Sequence, residues 1–338
     1  GTQMTDLGTL IKCLTEHKMD ARYFNMCNDI AAPRKLATEG NLDQNIRLAI
    51  SCGVNPITAI QMATLNAAEL LRVDQDLGAI TPGRFADILL VSDLPSFNVT
   101  MTIAGGKVVA KDGKMVVDVV PPKYPQWMYE TVKLTRKVTA DDFIVRADGK
   151  TATVRTIHSM EGCIISPEKH YELAVKDGEV QPDIEKDVLK IFMVDRFLSG
   201  GGIGVGFVDG FKLKRGAIAS TYNPVCENIL GVGTNDADIA LAVNELAAQH
   251  GGFIAVADGK VLCRVELPLL GLLSDEPFET VVEKMNKMNK TVQDLGCEYQ
   301  DPFSTLAFLG VCGETGILKI SDTGLYDLSK RSHVSTIV

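Results

Sequence analysis

The hydrophobic period of this chain changes at Gly78, and that change limits what it can fold into. Upstream of it, apolar residues recur at helical spacing, as in Leu7 to Glu16. In Leu42 to Cys52 the residues Leu42, Ile46, Ala49 and Ile50 share one face, and Gly53 stops the run. Asn55-Pro56 opens a further helix, Ile57 to Leu71, because proline is tolerated in a first turn. Tyr23 to Cys27 is short and apolar, which suits a buried strand. A strand followed by helices is the pattern of the last unit of a (β/α) barrel, and of many other α/β domains.

Downstream the runs shorten. A turn from Gly78 leads into an apolar strand ending at Val91, and Val99 to Ile103, Lys107 to Ala110 and Met115 to Val117 follow. Gly105-Gly106 and Asp112-Gly113 break them, and an Asp-Gly between short apolar runs is a strong hairpin signal. These runs predict a small β-module over about 78–120. Three prolines between Pro121 and Trp127 mark a linker or packed strap. From 140 onward strands and helices alternate. Asn235 or Asp236 can cap a helix to about Gln249, Asp258-Gly259 turns a hairpin of Phe253 to Ala257 with Val261 to Val265, and Thr280 to Leu295 forms a helix. Its methionines read as core fillers. The fold class expected is α/β: the end of a barrel, a small β-sandwich module, and a carboxy-terminal α/β (α+β) domain.

Several function classes are excluded or left without support. With 43 acidic against 34 basic residues and a net charge of -9, the chain lacks the basic excess of a nucleic-acid binder. Lys212, Lys214 and Arg215 form its densest basic cluster, which looks like a solvated strand edge. No apolar run approaches the ~20 residues of a membrane span. The amino end has no basic and apolar leader, so no membrane partner and no signal peptide are expected. Eight scattered cysteines without C-x-x-C pairs suit reduced thiols in a cytoplasm. The five histidines show no H-x-H or H-x-x-x-H spacing, so a complete metal site cannot be assembled from visible motifs.

Other motifs fail in detail. The run Ser199 to Gly206 lacks G-x-x-x-x-G-K-[ST] and reads as a structural glycine loop, with close approach of a ligand as the alternative. His170-Tyr-Glu172 is an H-x-E without the P-C-x-x-C that a zinc base deaminase needs. G-x-S-x-G does not occur. Asp29 stands out, because it follows the apolar run at Tyr23 to Cys27 and precedes a turn ending in Pro33. A carboxylate at the carboxyl end of a barrel strand can bind a metal or take a proton from water, whereas a loop aspartate only caps a turn.

Cys27-Asn-Asp-Ile-Ala-Ala-Pro33, Glu39-Gly-Asn-Leu-Asp43 and Pro56 to Ala68 resemble segments of the bacterial adenine deaminases, a branch of the amidohydrolase superfamily. Gly78 to Asp87 resembles the β-sandwich signature shared by amidohydrolases. Gly204 to Ala217, Val232 to Asp236 and Leu272 to Glu276 resemble the domain peculiar to adenine deaminases. The resemblance runs in order along nearly the whole chain. It implies hydrolytic deamination of adenine to hypoxanthine and ammonia, with a divalent metal (manganese, iron or zinc) as cofactor and a small purine as the partner molecule.

On that resemblance, 1–75 is expected to be the last unit of an amidohydrolase barrel, 76–125 the β-sandwich module and 126–338 the adenine-deaminase-type domain. Asp29 is expected to be both metal ligand and proton carrier, and Arg196, Glu227 and Asn228 to shape the substrate end. The histidines that hold most of the metal would lie upstream of Gly1, so the chain by itself is expected to be inactive. It is expected to form a homo-oligomer or to join a separate barrel portion. An unfinished barrel edge is a liability, so 1–75 is expected to pack on a partner or to be disordered. Departures from the family pattern bear on substrate: Ile30 replaces a second aspartate, Asn41 a histidine, and Arg196-Phe-Leu-Ser-Gly-Gly201 and Asn223-Pro-Val-Cys-Glu-Asn228 replace histidine-bearing segments. They leave open a relative acting on another amine or cyclic amide, or a scaffold that kept the fold without the chemistry.

Overall fold

A computed structural model describes residues 6–310 and 317–338. Among these, one compact unit takes the residues up to Ala31 and from Lys35 to Lys123, and a second takes Ala32–Arg34 and those from Tyr124 onward.

The first unit is helical and then β. Helices Leu7–Leu10, Lys12–Thr15, Leu42–Ser51, Pro56–Ala63 and Leu65–Leu71 carry it to residue 71. Pro56 stands in a first turn capped by the Asn55 side chain, which accepts from the Ile57 N–H at 3.0 Å. The long helix expected over Ile57 to Leu71 breaks at Thr64, whose φ and ψ of -130° and -86° leave the helical region and whose hydroxyl donates to the Ile60 carbonyl at 2.7 Å. The core of the unit gathers Ile11, Met26, Ile46, Ala49, Val54, Ala59, Met62 and Phe97. The described part of 6–75 is thus built around a buried core.

The strand expected at Tyr23 to Cys27 is absent. Ala21–Tyr23 is a turn of 3-10 helix capped by Asp20, and residues 24–32 belong to no helix or strand. A barrel strand needs hydrogen-bonding neighbours for its backbone. Here side-chain amides take their place: Asn66 Nδ2 donates to the carbonyls of Ala21 and Phe24, each at 2.9 Å, and Asn45 Nδ2 to that of Cys27 at 3.2 Å. The Met26 N–H donates to the Met62 carbonyl at 2.9 Å. No open barrel edge is present among the described residues.

The β-module follows as β1 (Ile88–Val91), β2 (Val99–Ala104), β3 (Lys107–Lys111) and β4 (Lys114–Met115), an antiparallel sheet in that order. Asp112 and Gly113 both have positive φ, 49° and 75°, as a two-residue hairpin turn of this twist requires.

The second unit is built on a nine-stranded sheet of β5 (Thr151–His158), β6 (Glu168–Lys176), β7 (Glu179–Val180), β8 (Leu189–Val194), β9 (Ile203–Asp209), β10 (Ala217–Ser220), β11 (Ile229–Gly233), β12 (Gly252–Ala257) and β13 (Lys260–Glu266). The order across the sheet is β13-β12-β10-β11-β8-β9-β5-β6-β7, and only β5 with β9 pairs parallel. Strand β8 is buried at every position, as a central strand covered on both faces must be. Helix Asp236–Ala248 covers one face through Ile239, Ala242, Val243 and Leu246. Helix Phe278–Asp294 covers the other with Met285, Met288 and Val292, joined by a hairpin of β14 (Leu318–Ser321) and β15 (Gly324–Asp327), beside which lies β16 (Ser332–His333). Those methionines are core residues, each such buried side chain contributing roughly 1.5–3 kcal/mol.

The glycine run is structural. A Cβ at Gly204 would stand 1.9 Å from the Ser321 carbonyl, so only glycine lets β9 approach the β14–β15 hairpin this closely. The described cysteines form no disulfide, and Cys312 lies outside the described residues. No helix among the described residues is long and apolar enough to cross a membrane.

Candidate functional site

In the first unit, Asp29 is exposed at the end of the amide-held segment, and its Oδ1 accepts the Ile30 N–H at 2.7 Å. Asn28 beside it donates through Nδ2 to Asn41 Oδ1, which joins the segment to the Glu39–Asp43 turn. That turn is fixed by Asp43: Oδ1 accepts the Asn41 N–H at 2.8 Å, and Oδ2 faces Arg47 Nη1 at 2.8 Å. Burial opposes ionisation of Asp43, but these hydrogen bonds and the guanidinium outweigh it and hold the carboxyl below its ordinary value. Arg47 Nη2 also donates to the Glu39 carbonyl at 2.6 Å. A cleft of about 460 Å³ opens beside this junction, lined by Leu7, Leu10, Met26, Asn28, Lys35, Gln44 and Asn45 among others. Two of the sequence motifs, Cys27–Pro33 and Glu39–Asp43, are thus brought into contact by a pair of asparagines.

In the second unit, Arg196, Glu227 and Asn228 come together at one end of the large sheet. Arg196 follows β8, while Glu227 and Asn228 close the connection from β10 to β11. The Arg196 side chain is buried, with 1% exposure. Its Nε donates to the Glu227 carbonyl, its Nη1 to the Leu270 carbonyl at 2.8 Å, and its guanidinium lies 4.4 Å from the centre of the Phe197 ring. Burial lowers its pKa to about 10, against the pull of the nearby Glu227 charge. Asn228 Oδ1 accepts the Arg196 N–H at 3.2 Å. Arg196 and Asn228 therefore tie loops to one another, and Glu227 is the member of the trio with a half-exposed side chain.

Sequence reasoning missed the residues that brace these loops. Asp195 accepts the backbone N–H groups of Phe197, Ser199 and Gly201 at 3.0, 2.8 and 3.0 Å. Burial opposes its ionisation, but the three N–H groups outweigh it and keep the carboxyl below its ordinary value. Asn223, 2% exposed, donates through Nδ2 to the Asn228 carbonyl at 2.6 Å. Phe197, Leu198 and Val225 project from the same loops. A short polar residue beside a glycine-rich or proline-containing turn is the one signal that could have found Asp195 and Asn223.

A second polar cluster joins β5, β6 and β9. The Asp209 carboxylate, nearly buried, meets His158 Nδ1 at 2.5 Å, the Tyr171 hydroxyl at 2.6 Å and Lys169 Nζ at 3.2 Å. Its hydrogen bond pushes the Tyr171 hydroxyl up to about 12.

The metal expected from the resemblance finds no complete set of donors. Among the described residues no group of three or more His, Cys, Asp or Glu side chains could hold an ion. Asp29 has amides and backbone around it, and a catalytic divalent ion takes about three protein ligands. The described residues do not by themselves fit such an ion.

Residues 163–332 match the family described as the adenine deaminase C-terminal domain, and residues 12–109 match the amidohydrolase family. The chain is 39% identical over 339 residues to an adenine deaminase of Clostridium botulinum (strain 657 / Type Ba4), covering 100% of this chain and 56% of that protein. It is 40% identical over 331 residues to one of Moorella thermoacetica, with 97% and 55% covered. A third, from Desulforamulus reducens, is 37% identical over 338 residues, with 100% and 57% covered. The chain spans about half the length of the curated relatives it matches.

Proposed function

The chain belongs to the adenine deaminase family through its C-terminal domain, and from that premise we propose that it serves the hydrolytic deamination of adenine to hypoxanthine and ammonia. The observation that carries the reading is the alignment of the whole chain with a protein named adenine deaminase, at 39% identity. In this reading 1–75 is the last unit of the barrel, 76–125 the β-sandwich module, and 126–338 the family's own domain. The four-stranded sheet of β1 to β4 and the unit boundary after Lys123 support those divisions.

The reaction adds water at C6 of the purine and breaks the bond from C6 to the amino nitrogen. A proton must leave the attacking water and another must reach the departing amine. Asp29 is the group proposed for that traffic: its carboxylate is exposed, and the segment carrying it is fixed by the amides of Asn45 and Asn66. A divalent cation taking part would receive one ligand, Asp29, from this chain, and its other donors would not come from the described residues. At the second unit, the Glu227 carboxylate is the group proposed to meet substrate, with Arg196 and Asn228 positioning it.

Ammonia release from adenine, compared with a panel of other aminopurines and cyclic amides, tests the reading in the complete gene product of which this sequence is all or part. Release from adenine above all others is expected. Release from another amine alone would replace adenine as the substrate.

A further inference from the structure

The Arg47 guanidinium reaches three separate acceptors in the first unit. Nη1 donates to the Asp43 carboxylate at 2.8 Å and to the Phe97 carbonyl at 3.4 Å, and Nη2 donates to the Glu39 carbonyl at 2.6 Å. Glu39 and Asp43 bound the turn that enters helix Leu42–Ser51, whereas Phe97 lies in the loop between β1 and β2. A planar fork of N–H donors can serve all three at once, which a single ammonium cannot do in the same geometry. Each end of this fastening is itself fixed. Phe97 is buried, with 4% exposure, and its φ of 44° is unfavourable for a bulky side chain. Asp93 braces that conformation: its Oδ1 accepts the Ser96 N–H at 2.7 Å, and its carbonyl accepts the Phe97 N–H at 3.2 Å. At the other end, Gly40 has φ of 100°, and a Cβ there would stand 2.7 Å from both Asp43 carboxylate oxygens and 3.0 Å from Arg47 Nη2. Only glycine lets the ion pair close over the turn.

From this anchored turn the connection continues toward Asp29. The Asn41 N–H donates to Asp43 Oδ1 at 2.8 Å, and the Asn41 side chain accepts from Asn28 Nδ2, next to Asp29 in the chain. Asn28 and Gly40 line the cleft beside this junction and Arg47 does not, so Arg47 bears on that site only through what it holds. We propose that Arg47 is a positioning residue, which ties the strained loop of the β-module to the Glu39–Asp43 turn and, through the Asn41–Asn28 amide pair, fixes the place of Asp29. For its effect on catalysis the inference rests on the reading of Asp29 as the carrier of protons. Its structural part, a hydrogen-bonded path from Phe97 to Asn28, stands apart from that reading. A carboxylate that moves protons must meet its target within hydrogen-bond reach, and a small misplacement lowers the rate without weakening binding through other groups. The plainer alternative is an Arg47–Asp43 pair that supports only one turn of its own helix.

The test joins backbone dynamics of the 338-residue chain to kinetics of the complete gene product. Arg47→Lys keeps a charge for Asp43 and loses the fork. Asn41→Ala removes the amide pair from an exposed position, where folding is least disturbed. Each variant should lower the NMR order parameters of the backbone amides of residues 27–31 from about 0.85 to about 0.6 or below. In the complete gene product each should lower kcat for ammonia release from adenine by roughly ten- to hundred-fold, with KM within about two-fold. The double variant should be no worse than the poorer single one, because both break one path. Softening confined to residues 42–47, with 27–31 and kcat unchanged, is what a pair that supports only the helix would give, and it would overturn the inference. Loosening of 27–31 by Asn41→Ala alone would overturn it too, since the path would not run through Arg47. Loosening by both variants with an undiminished kcat would remove the positioning role and leave the deamination of adenine standing. If the wild-type complete gene product releases no ammonia from adenine, the proposed reaction falls, and the order parameters of 27–31 still decide whether Arg47 holds that segment.

Discussion

The Arg196 guanidinium donates through Nη1 to the Leu270 carbonyl at 2.8 Å, and so fastens the connection after β8 to the loop after β13. The same side chain holds the Glu227 carbonyl, so three loops at one end of the large sheet depend on one buried cation. Arg196→Ala leaves two carbonyls without their donor and opens a cavity, and is expected to destabilise the second unit by about 3 kcal/mol. Arg196→Lys should recover little of this, because an ammonium lacks the planar fork. Denaturant midpoints of the two variants check it.

Asp195 should give the second unit an acid-sensitive component. Its folded pKa is below the unfolded value of about 3.9. A depressed carboxyl contributes stability that is present above the unfolded pKa and lost as pH falls through the folded one. Stability measured from pH 6 downward should therefore fall below about pH 4, and Asp195→Asn should flatten that part of the profile while lowering stability at neutral pH by about 1–3 kcal/mol.

Tyr171 supplies the opposite sign. Its hydroxyl donates to Asp209 at 2.6 Å and titrates near 12, above the ordinary value of 10.0. A raised folded pKa contributes stability that is fully present below the unfolded value and is lost as pH rises from about 10 through 12. Asp209→Asn removes the charge that causes the shift, and ultraviolet titration of phenolate should then show one tyrosine moving back toward 10.

Gly204→Ala places a methyl group 1.9 Å from the Ser321 carbonyl. Backbone must move to admit it, so the β14–β15 hairpin should come away from β9 at a cost above about 2 kcal/mol. Hydrogen exchange should quicken at Lys319 to Tyr326. Unchanged protection there would show that the close approach is dispensable.

Much of the secondary structure was legible in the sequence because its signals are local. The Asn235 cap, the Asp112-Gly113 and Asp258-Gly259 turns and the stripe of Met285, Met288 and Val292 each act within a few residues of themselves. Tyr23 to Cys27 misled, since an apolar run becomes a strand only where another strand pairs with it, and here Asn45 and Asn66 satisfy the backbone from more than fifteen residues away. The site residues divide in the same manner. Arg196, Glu227 and Asn228 do meet, yet nothing local told that Arg196 would be sealed under carbonyls, or that Asn223 would keep an acceptor without a donor. Those properties arise from loops far apart in the chain.

Asp29 is the residue proposed to move protons in the deamination of adenine. The most direct measurement is ammonia release from adenine by the complete gene product and by its Asp29→Asn variant, with thermal unfolding as the check on folding. A fall of roughly 10²–10⁴-fold in kcat, with the fold intact, is the predicted result for loss of a general acid–base group. Deamination at an undiminished rate by Asp29→Asn would contradict it.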